Sequence, residues 1–365
     1  MKLLRYTSLV LLLAAVLLTM AILVAPHIAP LRDFDQTFYP AIRYTLAGEN
    51  PYTAYYEETD QGAPPDFFSP PWLLLILLPF GFFPLAIARA LWVLLLVGVT
   101  LGAISLLRPW GLTGLKPLLL VILPWSLIGI LFGQVAAIVL LGTLLAIREA
   151  WRSDRTIGSG LRLLLGLLLV SVKPQLGLFV ALPLLIQMVW QRDSRLKLLV
   201  VAGLFLLIPT LAITPPWLVS KAIEVQQVTA PLWKSTLERE MLLWQAPLWL
   251  AHLMRLLVLA TMGLWAWHQC KLTPAWWSAW LAAVLIITPY TRAYDGVLLL
   301  PLLGQMLVYR RWYFVAFITG MAAYVSLPIG ELGSVVAPLL AWLLFVPWSV
   351  LWQRPINSQP IDQSG

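Results

Sequence analysis

The sequence has very few of the residues from which disulfide frameworks and metal centres are built. It contains one cysteine, Cys270, and three histidines in 365 residues. A single cysteine cannot form an internal disulfide, and neither a CxxC nor an HExxH pattern is present. Walker-type and GxGxxG glycine loops are also lacking, which argues against ATP hydrolysis and dinucleotide binding. We therefore expect no metal site and no cofactor.

Charge is scarce as well, since charged residues make up 11% of the chain and hydrophobic residues 61%. A soluble domain has about 25% charged residues, and a soluble core of this size could not bury so much apolar surface. The composition predicts an all-α polytopic, multi-pass protein of the cell membrane, most naturally a bacterial plasma membrane. Basic cytoplasmic loops account for the net charge of +8, and no module for nucleic acid is visible.

The apolar runs predict about 12 transmembrane helices in a single domain, 1–352, followed by a polar C-terminal tail, 353–365. Lys2 and Arg5 precede the first apolar run, which lacks an A-x-A cleavage site and is interpreted as a retained span with a cytoplasmic N-terminus. The region 67–135 leaves the count open. Its first part is either two crossings joined by a proline turn or a re-entrant segment followed by one span.

Basic residues cluster between the apolar runs, and such loops stay in the cytoplasm. The five sites are Arg148/Arg152/Arg155/Arg162, Arg192/Arg195/Lys197, Lys271, Arg310/Arg311 and Arg354. The outer face then receives a first extracytoplasmic loop, 28–66, the break at Lys173, a second outer loop, 214–246, and the segment 288–295. The first loop is long and acidic, because it holds seven of the 16 acidic residues.

Asp33 and Asp35 lie in this acidic loop, next to the first span. They form a DxD pattern, but the sugar nucleotides that such motifs hold are cytoplasmic. A carboxylate beside Tyr39, at the level of lipid head groups, suits a general base. The alternatives are a solvated face or an N-cap for the following helix.

Polar residues also interrupt later apolar runs. Lys173 precedes Pro174 inside an apolar run, and a cation at membrane depth is a functional candidate that would suit a lipid phosphate. The alternative is a lysine that reaches the interface. Arg292 can hold a phosphate or pair with Asp295. Gln134, beside a glycine, can hydrogen-bond a sugar or join neighbouring helices.

Several of these pieces occur together in the order of one known family. They are Asp35-x-x-Phe38-Tyr39, Gly48-x-Asn50-Pro51-Tyr52, Ser69-Pro70-Pro71 with Pro79, Gly133-Gln134, Lys173-Pro174, Thr288-Pro289-Tyr290 and Tyr294-Asp295. Over residues 1 to about 300, this pattern resembles glycosyltransferase family 87, the polyprenol-phosphate-mannose-dependent mannosyltransferases of the GT-C class.

The resemblance implies a GT-C-like helical bundle whose active site is extracytoplasmic. It implies Asp35 as catalytic base, because an aromatic residue, Tyr39, follows four positions later; Asp33 does not fit that spacing and ranks second. The predicted substrate-binding residues are Asp33, Tyr39, Arg43, Gln134, Lys173, Arg292, Tyr294 and Asp295. Lys173 and Arg292, with Arg43 as a reserve, would hold the donor phosphate. Some relatives have histidine near the position of Tyr294, so mannose is a preference among the possible sugars.

The predicted function is a membrane glycosyltransferase that moves a hexose from a polyprenyl-phosphate donor to a lipid-linked or glycan acceptor, with inversion. Its partners are that donor, the acceptor and membrane lipids. One carboxylate and one or two cations suffice for this chemistry, because the phosphate leaves without protonation. The alternatives are a transporter or flippase of lipid-linked sugars and a polymerase or ligase acting on them.

Overall fold

A computed structural model describes residues 15–52, 69–213, 236–269, 272–288, 291–327 and 335–351. These residues form helices and no strand, so the all-α prediction is confirmed for them. The first helices are α1 (Ala15–His27), α2 (Tyr39–Leu46), α3 (Pro71–Leu77), α4 (Leu85–Ser105), α5 (Lys116–Val121), α6 (Pro124–Phe132), α7 (Ala136–Trp151) and α8 (Ile157–Val170).

The second half continues the same architecture. Its helices are α9 (Pro174–Trp190), α10 (Leu196–Ile213), α11 (Leu237–Leu243), α12 (Trp249–Gln269), α13 (Pro274–Ile287), α14 (Leu300–Tyr309), α15 (Arg311–Val325) and α16 (Val336–Leu351). A 3-10 helix, Ala293–Leu299, leads directly into α14. The tail 353–365, part of the first predicted outer loop (53–66) and part of the second (214–235) lie outside the described residues.

Helix α13 is at the centre of the bundle. Every residue from Trp276 to Ile287 is buried, which is typical of a helix surrounded by other helices. It packs against α9, α12, α14 and α16. The Trp280 indole N–H donates to the Phe179 carbonyl oxygen of α9 at 3.0 Å, so even its polar atom is satisfied inside the bundle.

The outer surface of the bundle is apolar. On α9, Leu178, Leu182 and Ile186 recur at a spacing of four, which places them on one helix face, and all three are exposed. With the turn that follows it, α4 extends over Leu85–Trp110, 26 residues, and α12 provides Trp249–His268, 20 residues. These two helices are long and apolar enough to cross a membrane.

The shorter apolar helices have 10–17 residues, and one of them bears on the ambiguous region 67–135. The segment Pro71–Phe82 joins α3 to a 3-10 turn and spans roughly 18 Å at 1.5 Å per residue. A bilayer core is about 30 Å thick. This segment is therefore shorter than a bilayer crossing, whereas α4, which follows it, is long enough for one.

Three of the predicted basic sites meet at one end of the bundle. Arg195, before α10, donates to the backbone oxygen of Glu149, near the end of α7. The Trp110 and Trp151 rings lie 5.8 Å apart, and Gln305 of α14 donates to the Trp110 carbonyl oxygen. This end, called the basic end, comprises residues 108–116, 148–162, 191–197 and 309–311. Lys271 and Arg354 lie outside the described residues.

Candidate functional site

The segment with the two aspartates forms a π-helical turn, Phe34–Phe38, that leads into α2. Phe34 and Phe38 are buried, and the Phe34 ring stacks on Trp92 of α4 at 5.5 Å. Aromatic packing therefore holds a turn type that is rare in proteins and recurs at functional sites. Asp33 precedes the turn but makes no side-chain cap hydrogen bond with it, so the N-cap interpretation does not hold for Asp33.

Asp33 is joined to Gln134 across 101 residues of sequence. The Gln134 side-chain amide donates to Asp33 Oδ2 at 2.5 Å, and Gln134 is 8% exposed. Within the part of the chain that the structure describes, this is the one hydrogen bond in which the Asp33 carboxylate takes part. Two residues that the sequence indicated separately are thus neighbours, and Asp33 is partly exposed.

The turn at Gly133 explains how this contact is made. Gly133 ends α6 with φ +72°, in the left-handed region that favours glycine. A Cβ there would lie 2.8 Å from the Cβ of Phe34 and 3.2 Å from that of Leu31. The Trp92 indole donates to the Gly133 carbonyl oxygen at 2.8 Å. Glycine therefore lets the Asp33 segment lie directly against the end of α6.

Replacing this glycine tests the close contact. We expect Gly133→Ala to lower the free energy of unfolding by about 1–3 kcal/mol, because it combines left-handed strain with overlap against Phe34. Gly98→Ala on α4 is the matched control, since a Cβ there meets nothing within 4 Å. Thermal unfolding in detergent measures both. Equal stability of the two variants would contradict the contact.

Asp35 has different surroundings from Asp33. Arg89 of α4 binds both of its oxygens, with Nε–Oδ1 at 3.0 Å and Nη2–Oδ2 at 2.7 Å. The Leu31 backbone N–H also donates to Oδ2 at 3.1 Å, and Arg89 Nη1 donates to the Ile28 carbonyl oxygen at 3.2 Å. Asp35 is therefore the centre of a bidentate clamp that fastens the end of α1 and the π-helical turn to α4.

Tyr39 and Arg43 are both engaged by one short segment that follows α3. The Tyr39 hydroxyl donates to the Phe83 carbonyl oxygen at 2.9 Å, and Arg43 Nη1 donates to the Gly81 carbonyl oxygen at 3.1 Å. These bonds attach α2 to the turn before α4. A role of either side chain in substrate binding stays a prediction.

Lys173 forms a buried ion pair with Asp295, 122 residues away. Its Nζ lies 2.6 Å from Asp295 Oδ1 and 4.2 Å from the centre of the Tyr294 ring. The Lys173 and Asp295 side chains are 9% and 1% exposed. Pro174 begins α9, which keeps Lys173 out of the helix and at its N-terminal boundary. The structure thus unites three predicted site residues in one cluster.

Arg292 is part of the same segment through its backbone. Its N–H donates to Asp295 Oδ2 at 3.0 Å, and the Asp295 N–H donates back to the Arg292 carbonyl oxygen at 2.9 Å. The predicted Arg292–Asp295 pairing is therefore a cap of the 3-10 helix Ala293–Leu299, while the acidic charge is matched by Lys173.

The two polar clusters are connected through the end of α6. Phe132 lies 6.1 Å from the Tyr294 ring, and Gln134, two residues later, binds Asp33. The helices α7 and α9 both start here and end at the basic end, and a 16-residue helix is about 24 Å long. Asp33, Gln134, Lys173, Tyr294 and Asp295 therefore lie at the opposite end, called the site end.

Two features of this end were missed from the sequence. Arg89 is an isolated charge in an apolar helix, which is the pattern that should have indicated it. The second feature is a buried cluster on α11, inside the second predicted outer loop. Arg239 binds Glu240 at 2.9 Å, and the Tyr324 hydroxyl donates to Glu240 at 3.0 Å. A charge-dense helix after a Thr236 cap was its signal.

Next to this cluster, Glu238 pairs with Arg255 of α12. Burial by itself would raise the pKa of Glu238, but the hydrogen bonds and charge of Arg255 outweigh it and lower that pKa below its ordinary value of 4.5. The carboxylate is thus held ionised, and the pair fixes α11 to α12.

Among the described residues, no group of three or more His, Cys, Asp or Glu side chains is placed to hold a metal ion. No protein family model, no curated protein and no solved structure matches this chain.

Proposed function

We propose that the chain is a membrane glycosyltransferase. It moves a hexose, with mannose as first candidate, from a polyprenyl-phosphate donor to a lipid-linked or glycan acceptor. One observation carries the proposal: a partly open carboxylate, Asp33, and a buried cation, Lys173, lie at the same end of an apolar helical bundle. These are the two charges that sugar transfer from a lipid phosphate requires.

The helix order supports placement in a membrane. In this proposal, α5 and α6 form one broken crossing, the 3-10 helix before α14 is part of another, and the chain crosses the membrane twelve times. The remaining helices, α2, α3 and α11, lie at the site end. Because basic loops stay in the cytoplasm, the basic end faces the cytoplasm and the site end faces outwards in this proposal.

The proposed reaction is a single displacement at the anomeric carbon. The acceptor hydroxyl loses its proton to a carboxylate, and its oxygen forms a bond to that carbon as the bond to the phosphate oxygen breaks. The electron pair of the broken bond leaves with the polyprenyl phosphate, which gains one negative charge. Lys173 offers its ammonium group to that charge, so the anion departs without protonation.

The surroundings of the two aspartates favour Asp33 as the base. A base needs a carboxylate oxygen within hydrogen-bond reach of the acceptor hydroxyl. Both Asp35 oxygens already accept from Arg89, and one also accepts from Leu31, whereas Asp33 accepts from Gln134 alone among the described residues. In this proposal, Asp35 positions the turn and Asp33 accepts the proton; the role of Asp35 as base stays the prediction from the resemblance.

Transfer of radiolabel tests the function. Purified protein is incubated with polyprenyl-phosphate mannose, glucose or arabinose and a mixed lipid and glycan acceptor extract. We expect transfer from one donor, and no loss on adding chelator, because the proposed groups supply both the base and the cation. Loss that a divalent ion restores would contradict the metal-free mechanism. Absence of transfer from all three donors would contradict the proposed function.

A transporter of lipid-linked sugars is the second candidate, and the Lys173–Asp295 pair is the observation that favours it. Buried ion pairs at membrane depth mark substrate pathways in transporters. Movement of a fluorescent lipid-linked sugar across reconstituted vesicles, without formation of a new glycosidic bond, would support this candidate against the first.

A further inference from the structure

The basic end has an organised cluster of arginines that the proposed transfer reaction does not use. Glu149 and Asp193 are buried there, with side chains 2% and 1% exposed. Arg195, itself buried, connects them: it binds Asp193 through Nε and Nη2 and donates through Nη1 to the Glu149 backbone oxygen and to Ser159, both at 2.8 Å. The two carboxylates thus form a buried acidic pair.

Three further arginines extend from this buried acidic pair to the surface. Arg152 Nη1 lies 3.3 Å and Arg162 Nε 3.0 Å from Glu149, and Arg155 Nε lies 3.9 Å from Asp193. Their side chains are 43%, 44% and 42% exposed, so each guanidinium is anchored on one edge and open on the other. A guanidinium has five N–H donors, and of these three arginines Arg152 donates a hydrogen bond, to Glu149, while Arg155 and Arg162 form ion pairs.

The negative charge of the buried acidic pair keeps these arginines in place. Burial alone would raise the pKa of Asp193, but the hydrogen bonds and charges of Arg195 and Arg155 lower it below its ordinary value of 3.8. Asp193 lies in the turn between α9 and α10. Its ionised form therefore persists at neutral pH and continues to attract the cations around it.

The exposed surface of the cluster is strongly cationic. Within 148–162 and 191–197, six cations are exposed, whereas Asp154 is the one exposed acidic residue. The exposed cations are Arg148, Arg152, Arg155, Arg162, Arg192 and Lys197. Because the other two acids are buried and paired, the excess charge is directed outwards.

Apolar side chains border this surface and indicate its level relative to a bilayer. Trp190, at the end of α9, is 81% exposed, and Ile157, at the start of α8, is 80% exposed. Tryptophan is typical of the interface between lipid tails and water. Arg192 follows Trp190 in the chain, and Arg152, Arg155 and Arg162 lie within five residues of Ile157. These arginines therefore lie at the level of lipid head groups.

We propose that Arg152, Arg155 and Arg162 form a binding site for the phosphate head group of an anionic phospholipid. Guanidinium groups bind phosphate oxygens through paired N–H donors, and a fixed cluster binds them at a lower entropy cost than mobile side chains. Exposed Trp190 and Ile157 favour a ligand with acyl chains over a soluble anion. The inference rests on the membrane placement above and is independent of the transfer reaction.

Native mass spectrometry of the full-length protein in detergent, with equal amounts of phosphatidylglycerol and phosphatidylcholine, tests the site. The variant is Arg152→Gln/Arg155→Gln. Glu149 keeps its ion pair with Arg162 and Asp193 keeps its ion pair with Arg195, so the buried acidic pair is preserved. The control is Arg108→Gln/Arg311→Gln, which removes two exposed cations of the same end outside the cluster. Thermal unfolding confirms that both variants are folded.

We expect wild type and control to retain phosphatidylglycerol in preference to phosphatidylcholine. The Arg152/Arg155 variant should lose that preference by about tenfold or more, since it removes two of the three guanidinium groups that hold the phosphate. An equal loss in the control would show general attraction to charge and overturn the site. Displacement of the lipid by millimolar inorganic phosphate would show a site for free phosphate and overturn the lipid assignment.

Discussion

Replacement of Asp33 by asparagine is expected to lower kcat for sugar transfer by about 10²–10⁴, the usual contribution of a general base. Asparagine keeps the size of the side chain and can still bind Gln134, so the fold and the donor affinity should change little. Initial rates of radiolabel transfer at saturating donor and acceptor measure this effect.

Asp35→Asn is the matched variant, two residues away in the same turn. It breaks the bidentate pair and leaves Arg89, a largely buried cation, without its carboxylate, so its main effect should be on thermal stability. The double variant Asp35→Asn/Arg89→Gln removes both charges and should recover part of that stability. A loss of transfer confined to Asp35→Asn, with unchanged stability and full transfer by Asp33→Asn, would assign the base to Asp35 instead.

The sequence indicated most of the residues that meet at the site end but not how they are connected. Lys173 and Gln134 were recognisable because a polar group that interrupts an apolar run is costly and needs a partner. Asp33 was recognisable because it lies in an acidic loop next to the first span. Which partner it finds depends on helix packing over more than a hundred residues. The Asp33–Gln134 and Lys173–Asp295 contacts span 101 and 122 residues, and no local pattern specifies them.

The difference between the two aspartates was also beyond the sequence. Spacing to Tyr39 favoured Asp35, yet the environment of each carboxylate depends on a π-helical turn, which adds a residue to the helical repeat and rotates its neighbours to different faces. That turn directs Asp35 towards Arg89 and Asp33 towards Gln134. The helical fold and the grouping of basic loops, by contrast, follow from composition and charge pattern, which is why they were predictable.

Replacement of Lys173 by methionine is expected to lower the free energy of unfolding by about 3–5 kcal/mol. The change leaves Asp295, 1% exposed, as a buried charge without its cation, and such losses exceed the net value of the pair itself. Thermal unfolding in detergent measures this effect. The same variant should also lose donor binding, since the cation for the lipid phosphate is gone.

The double variant Lys173→Met/Asp295→Asn separates these two effects. Asparagine still accepts the Arg292 backbone N–H, and no buried charge is left, so most of the stability should return. Donor affinity, measured by titration with polyprenyl-phosphate sugar, should stay lost because it depends on Lys173 alone. The control Arg255→Met/Glu238→Gln removes another ion pair and should leave donor affinity unchanged. If the double variant recovers stability and donor binding together, Lys173 is a structural residue, and the phosphate must be held elsewhere.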